Sequence, residues 1–195
     1  MSRGRRLRGV IADLRSGLRG PPEDSTLIVS VPGAQDLVTV CNEALGVTSV
    51  SEVPPHITIL YPFIRPSRMD DGLETHLGDV FAGCRPFAFS LVGLGHFPGA
   101  TWLRPTPASN FAALTDAVVR AFPGNPPYRG RFDATIHHLT VAMREPLPAP
   151  VEATLQSMLP VAGHAEEVWL MSRPARGRWE VRERFPLGLH RPSNA

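Results

Sequence analysis

Two rhythms of apolar residues alternate along this chain. Thr26 to Val31 is a short, mostly apolar run closed by Pro32-Gly33, which reads as a strand. From Ala34 to Leu45 the apolar residues recur at helical spacing, with Leu37, Cys41 and Leu45 on one face and Gly46 as the stop. Pro54-Pro55 introduces a strand from His56 to Tyr61, which Pro62 ends. A second helix carries Leu73, Leu77, Val80 and Phe81, and Phe87 to Val92 is again a strand. The order then repeats: strand Thr101 to Arg104, helix Ser109 to Phe122, strand Ile136 to Ala142, a helix marked by Val151, Leu155 and Leu159, and strand Val168 to Ser172. A closing hairpin turns at Arg176-Gly177 and returns through Trp179 to Phe185. The pattern predicts an α+β fold made by internal duplication, its halves related by a pseudo-twofold axis.

The third element of each half carries the same four-residue pattern of His, apolar, Thr, apolar. It is His56-Ile57-Thr58-Ile59 in the first half and His138-Leu139-Thr140-Val141 in the second. Strand side chains alternate faces, so His56 and Thr58 point one way while Ile57 and Ile59 point into the core. His138 and Thr140 share a face in the same manner, and His137 points to the opposite face with Leu139. At this composition, two such quartets arise by accident in well under about one chain in a hundred. A pseudo-twofold axis would set the two strands opposite each other across a cleft, combining two half-sites into one site.

Composition narrows the setting. At 195 residues the chain suits one domain or two small fused lobes, and its formal charge of +2 is too small for a general nucleic-acid coat. All 20 basic residues are Arg, as in a GC-rich coding sequence. Cys41 and Cys84 fall in apolar helical patterns and are expected to be small core residues in a reducing cytoplasm rather than a disulfide. No apolar run is long enough to span a bilayer, and no h-region marks a signal peptide, so a cytoplasmic protein without a membrane partner is expected. Residues 1–24 stand apart from the domain at 25–195. Arg3, Arg5, Arg6, Arg8, Arg15 and Arg19 face only Asp13, with Leu7, Val10, Ile11, Leu14 and Leu18 at helical spacing. This is either an appended basic helix or tail, or an arm that touches RNA or membrane.

Two imidazoles on opposite sides of a reacting group make a general base and a general acid. Hydroxyls beside them donate hydrogen bonds to non-bridging phosphate oxygens. No Ser or Cys nucleophile stands in a matching context, and no Cys, Asp or Glu sits at ligand spacing from the two His, so neither metal nor cofactor is expected. The arrangement suits in-line attack on a phosphodiester by a hydroxyl or a water.

The stretch Pro54-Pro55-His56-Ile57-Thr58-Ile59-Leu60-Tyr61-Pro62-Phe63 and the later His138-Leu139-Thr140-Val141-Ala142 resemble the paired motifs of the two-histidine (2H) phosphoesterase superfamily, in its 2′-5′ RNA ligase-like branch. The resemblance takes in Ala100 to Pro105 and the closing Trp179 to Leu187. It implies a bilobal fold with antiparallel sheets facing across a central cleft and helices outside, and metal-independent chemistry. It also implies substrates such as 2′,3′-cyclic phosphates or 2′-5′ linkages, on RNA ends or small cyclic nucleotides. His56 and His138 would be the acid-base pair, and Thr58 and Thr140 the phosphate binders. Many relatives carry Arg five places beyond the second motif's His, where this chain has Met143 and then Arg144, so no contact is assigned there. Phe63 and Tyr61 are candidates to stack a nucleobase, although Tyr61 shares the inward phase of Ile57 and Ile59. Arg104 is a candidate phosphate contact, Trp102 is expected in lobe packing, and the protein is expected to be a monomer.

Overall fold

The computed structural model describes residues 23–48, 51–131 and 135–188. The basic segment singled out at the N-terminus therefore lies outside the described residues, save Glu23 and Asp24. Eight strands are described: β1 Asp24–Ser30, β2 His56–Leu60, β3 Phe87–Phe97, β4 Ala100–Thr106, β5 Leu139–Ala142, β6 Val161–Ala165, β7 Glu167–Arg173 and β8 Glu180–Pro186. Four helices intervene: α1 Gln35–Ala44, α2 Leu73–Ala82, α3 Ser109–Ala121 and α4 Ala149–Ser157. The strands form one curled antiparallel sheet in the order β6-β3-β4-β5-β2-β1-β7-β8. The two expected sheets are the halves of this one, joined where the motif strands β2 and β5 meet at the single pair Ile57 and Leu139.

From the centre outward each half reads motif strand, first strand, outer strand. The outer strands are exchanged. β3, from the first half of the chain, pairs with β4, and β7, from the second half, pairs with β1. The helices cross over as well: α1 packs on β5, and α3 on β2. Alternation puts Leu27, Val29, Ile57, Ile59, Leu103, Leu139 and Val141 into the core beneath Leu37, Cys41, Phe111, Leu114 and Val118 of α1 and α3. Each such buried aliphatic or aromatic side chain is worth about 1.5–3 kcal/mol relative to exposure.

Local chemistry sets the ends of the elements. Gly46 adopts φ 65°, open to a residue without Cβ. Its N–H reaches Glu43 O at 3.2 Å while Val47 N–H reaches Asn42 O at 2.8 Å, the two bonds of a Schellman motif that closes α1. β3 runs five residues past the predicted end at Val92, and β6 is a strand that the pattern did not predict. The second motif strand begins at Leu139, so His138 stands immediately ahead of it. No helix among the described residues is long and apolar enough to cross a membrane.

Candidate active site

The four motif residues converge because β2 and β5 are neighbours. With Ile57 opposite Leu139, the antiparallel register sets His56 across from Thr140 and Thr58 across from His138. All four are partly buried on the face opposite the core, while Ile57, Ile59, Leu139 and Val141 between them are buried in it. The two His are diagonal neighbours across the seam, a relation that spans roughly 7–8 Å between Cα atoms. The outer ladders extend the pattern on either side. Ser30 pairs with His56 and Ile28 with Thr58 on β1. Trp102 pairs with Thr140 on β4, and the same register carries Arg104 to His138.

Both imidazoles are anchored alike. His56 Nδ1 lies 2.8 Å from Pro54 O, and His138 Nδ1 lies 2.6 Å from Ile136 O, each the carbonyl two residues earlier. A carbonyl only accepts, so each Nδ1 carries the proton and each neutral ring keeps its lone pair on Nε2. Burial pulls the His56 imidazole below its ordinary value of 6.5, the Pro54 carbonyl opposes this, and the nearby His138 charge lowers it further. Burial also lowers His138, against the pull of the Ile136 carbonyl.

Aromatic rings wall one side of the site. His138 meets Phe97 edge-on at 4.9 Å between centroids and Trp102 at 5.6 Å. Phe97 stacks on Trp102 at 5.1 Å. The indole lies over Gly95, where a Cβ would fall 2.5 Å from Cε2 and from Cη2. Trp102, expected in lobe packing, therefore packs against its lobe and borders His138 as well. Phe97 lies beyond the predicted strand end at Val92, and the Gly-x-Phe spacing opposite Trp102 is the sequence signal that points to it.

The other candidates fall in different places. Phe63 is buried, edge-on to Phe122 at 5.3 Å, and joins the core rather than the four. Phe63 has the inward phase of Ile57 and Ile59 rather than that of Thr58, and Pro62 ends the strand just before it. Tyr61 is half-buried, and its hydroxyl donates to Asp24 Oδ2 at 2.5 Å. Arg104 is exposed on the site face. His137 turns into the core, as its phase predicts. Surface hollows of about 410 and 500 Å³ lie along Ile64, His76 and Phe122 and along Val92, Gln156 and Pro160; neither includes any of the four motif residues. Among the described residues, no three or more His, Cys, Asp or Glu are grouped to hold a metal ion.

A family model described as the 2′-5′ RNA ligase superfamily matches residues 29–177. Compared with curated proteins, the sequence has no match. Among solved structures, the Thermus thermophilus protein TT0787 superposes with a TM-score of 0.59 at 20% identity, covering 86% of this chain and 100% of the other. Escherichia coli LigT in complex with 3′-AMP gives a TM-score of 0.53 at 13% identity, and in complex with NADP+ 0.52 at 15%. Each LigT match covers 86% of this chain and 99% of the other. At these identities the likeness establishes a shared fold.

Proposed function

The chain belongs to the 2′-5′ RNA ligase superfamily, and on that footing we propose that it is a metal-independent phosphoesterase of the 2H type. It acts on 2′,3′-cyclic phosphates or 2′-5′ linkages of small nucleotides or RNA ends. The observation that carries this reading is the matched anchoring of His56 and His138, which leaves two Nε2 atoms as the reactive nitrogens on one face of the sheet. In the hydrolytic direction, Nε2 of the neutral imidazole takes a proton from water as the water oxygen bonds to phosphorus. The other imidazole, protonated, gives its proton to the ribose oxygen as the P–O bond breaks. Thr58 and Thr140 hydroxyls donate to the non-bridging oxygens, where negative charge grows. In ligation the roles of the two rings exchange. The modest charge of +2 favours short substrates over extended tracking of an RNA backbone. The nucleotides bound to LigT in its crystals point the same way.

The test is turnover of 2′,3′-cyclic nucleotides, 2′-5′-linked dinucleotides and ADP-ribose cyclic phosphate. His56→Ala and His138→Ala should each lose about 10²-fold or more in kcat with KM little changed. EDTA should leave the rate intact. Wild-type turnover in both variants would refute the acid-base assignment. A nucleotide bound but never converted would make the protein a binding module instead.

A further inference from the structure

The residue directly before His138 takes no part in the chemistry above, and neither does the helix beneath β2, yet the two are linked. His137 is 6% exposed, and its Nε2 lies 2.8 Å from Thr115 Oγ1 on α3. Thr115 is 5% exposed, and its hydroxyl lies 2.7 Å from Ile59 O on β2. A hydroxyl has one proton and the Ile59 carbonyl has none, so Thr115 donates to Ile59 O and accepts from His137. His137 is thereby fixed with its proton on Nε2. An unbroken line of N–H···O–H···O=C bonds joins the neighbour of His138 to the neighbour of Thr58.

This line crosses the seam between the halves, where among the described residues the sheet contributes only the pair Ile57 and Leu139. A single registered pair ties the two strands at one point, and a bridge through α3 adds a second constraint on the spacing of the half-sites. The pseudo-twofold counterpart lacks one. Pro55 precedes His56 with no polar side chain, and Cys41, at the place in α1 that Thr115 holds in α3, is buried with its thiol pushed up to about 11 by that burial. Stacking on Phe111 at 6.3 Å and 27° holds the His137 ring in place.

We propose that Thr115 and His137 are positioning residues: the bridge from His137 through Thr115 to Ile59 sets the distance between the two His-Thr half-sites. The inference rests on reading those half-sites as catalytic. Burial keeps His137 neutral down to about pH 4, with the His138 charge lowering it further and Asp116 raising it, so the bridge persists through the working range of the reaction.

A misplacement of about 1 Å at reacting groups costs up to roughly 10²-fold in rate. Thr115→Val keeps the shape and removes the hydroxyl, and His137→Leu removes the donor. Each should lower kcat by about 10- to 100-fold with KM within about threefold. Thr115→Ser and His137→Gln restore the hydroxyl and a side-chain N–H, and should return to within about threefold of wild type. A readout independent of turnover is the NMR titration of the His56 and His138 Cε1 protons. In the wild type the charge on His138 lowers His56, and in Thr115→Val that effect shrinks. If Thr115→Val does not fold, Thr115→Cys, which copies the mate position, is judged by the same criteria. A folded variant with a lowered melting temperature, wild-type kcat and unchanged titrations overturns the proposal. A wild type that converts no phosphodiester defeats the functional reading instead, and the titrations still judge the bridge.

Discussion

Replacing Gly95 by Ala places one methyl group under the wall of the site. The added Cβ would sit 2.5 Å from Cε2 and Cη2 of Trp102 and closer still to Cζ2, where ordinary contact begins near 3.4 Å. The indole must therefore shift by roughly 1 Å, and it is already packed against both Phe97 and His138. Overpacking of this kind costs about 1–3 kcal/mol, which for a chain of this size lowers the melting temperature by roughly 3–10 °C. Because the displaced ring borders His138, kcat should also fall, by about 10- to 100-fold. Gly163→Ala is the matched control. Its Cβ would meet Phe89 in the same way, 2.8 Å from both Cε atoms, on β6 at the sheet edge. Calorimetry should find both variants destabilised, and steady-state assays with a 2′,3′-cyclic nucleotide should find only Gly95→Ala impaired. If the two lose stability alike and both keep wild-type kcat, packing of Trp102 against His138 does not position the imidazole.

The pH profile follows from two lowered imidazoles. Catalysis needs one ring neutral and one protonated, and in the free enzyme both protonate below the ordinary value of 6.5. The kcat/KM maximum should therefore lie below pH 6.5 and decline as the acid member loses its proton, and a maximum on the alkaline side would contradict the assignment. Stability should fall in acid because of His137. The unfolded chain takes up its proton near 6.5 and the folded one only near 4, so the unfolded state binds more protons between these values. Urea unfolding should show a loss on the order of 3 kcal/mol from pH 6.5 to 4 that His137→Gln makes shallower, and equal slopes for the two proteins would remove His137 as its source.

What the sequence revealed and what it hid divide along physical lines. The His-Thr quartets were legible because strand alternation ties the face of one residue to that of the next. Gly46 and Pro62 marked ends through backbone chemistry that needs no tertiary context. Strand partners are another matter. Nothing within Phe87 to Phe97 states that it will pair with the strand that follows it and that Val168 will close the first half. β6 was missed because Ala-Gly-His-Ala has little intrinsic strand preference and is held at an edge by β3 alone. Gly93 and Gly95 lie just past the predicted end at Val92, and Gly95 is the clearance that lets Trp102 lie across it. Thr115 was invisible as a partner of His137, since 22 positions separate them.

The trading of outer strands has a consequence for assembly. Severed between β3 and β4, each piece would retain a strand whose neighbour belongs to the other piece, so neither could complete a sheet by itself. Two copies of one piece would satisfy each other only by lending that strand reciprocally. A half-length chain with this pairing would thus be complete only as a symmetric dimer, with one imidazole from each subunit at its axis.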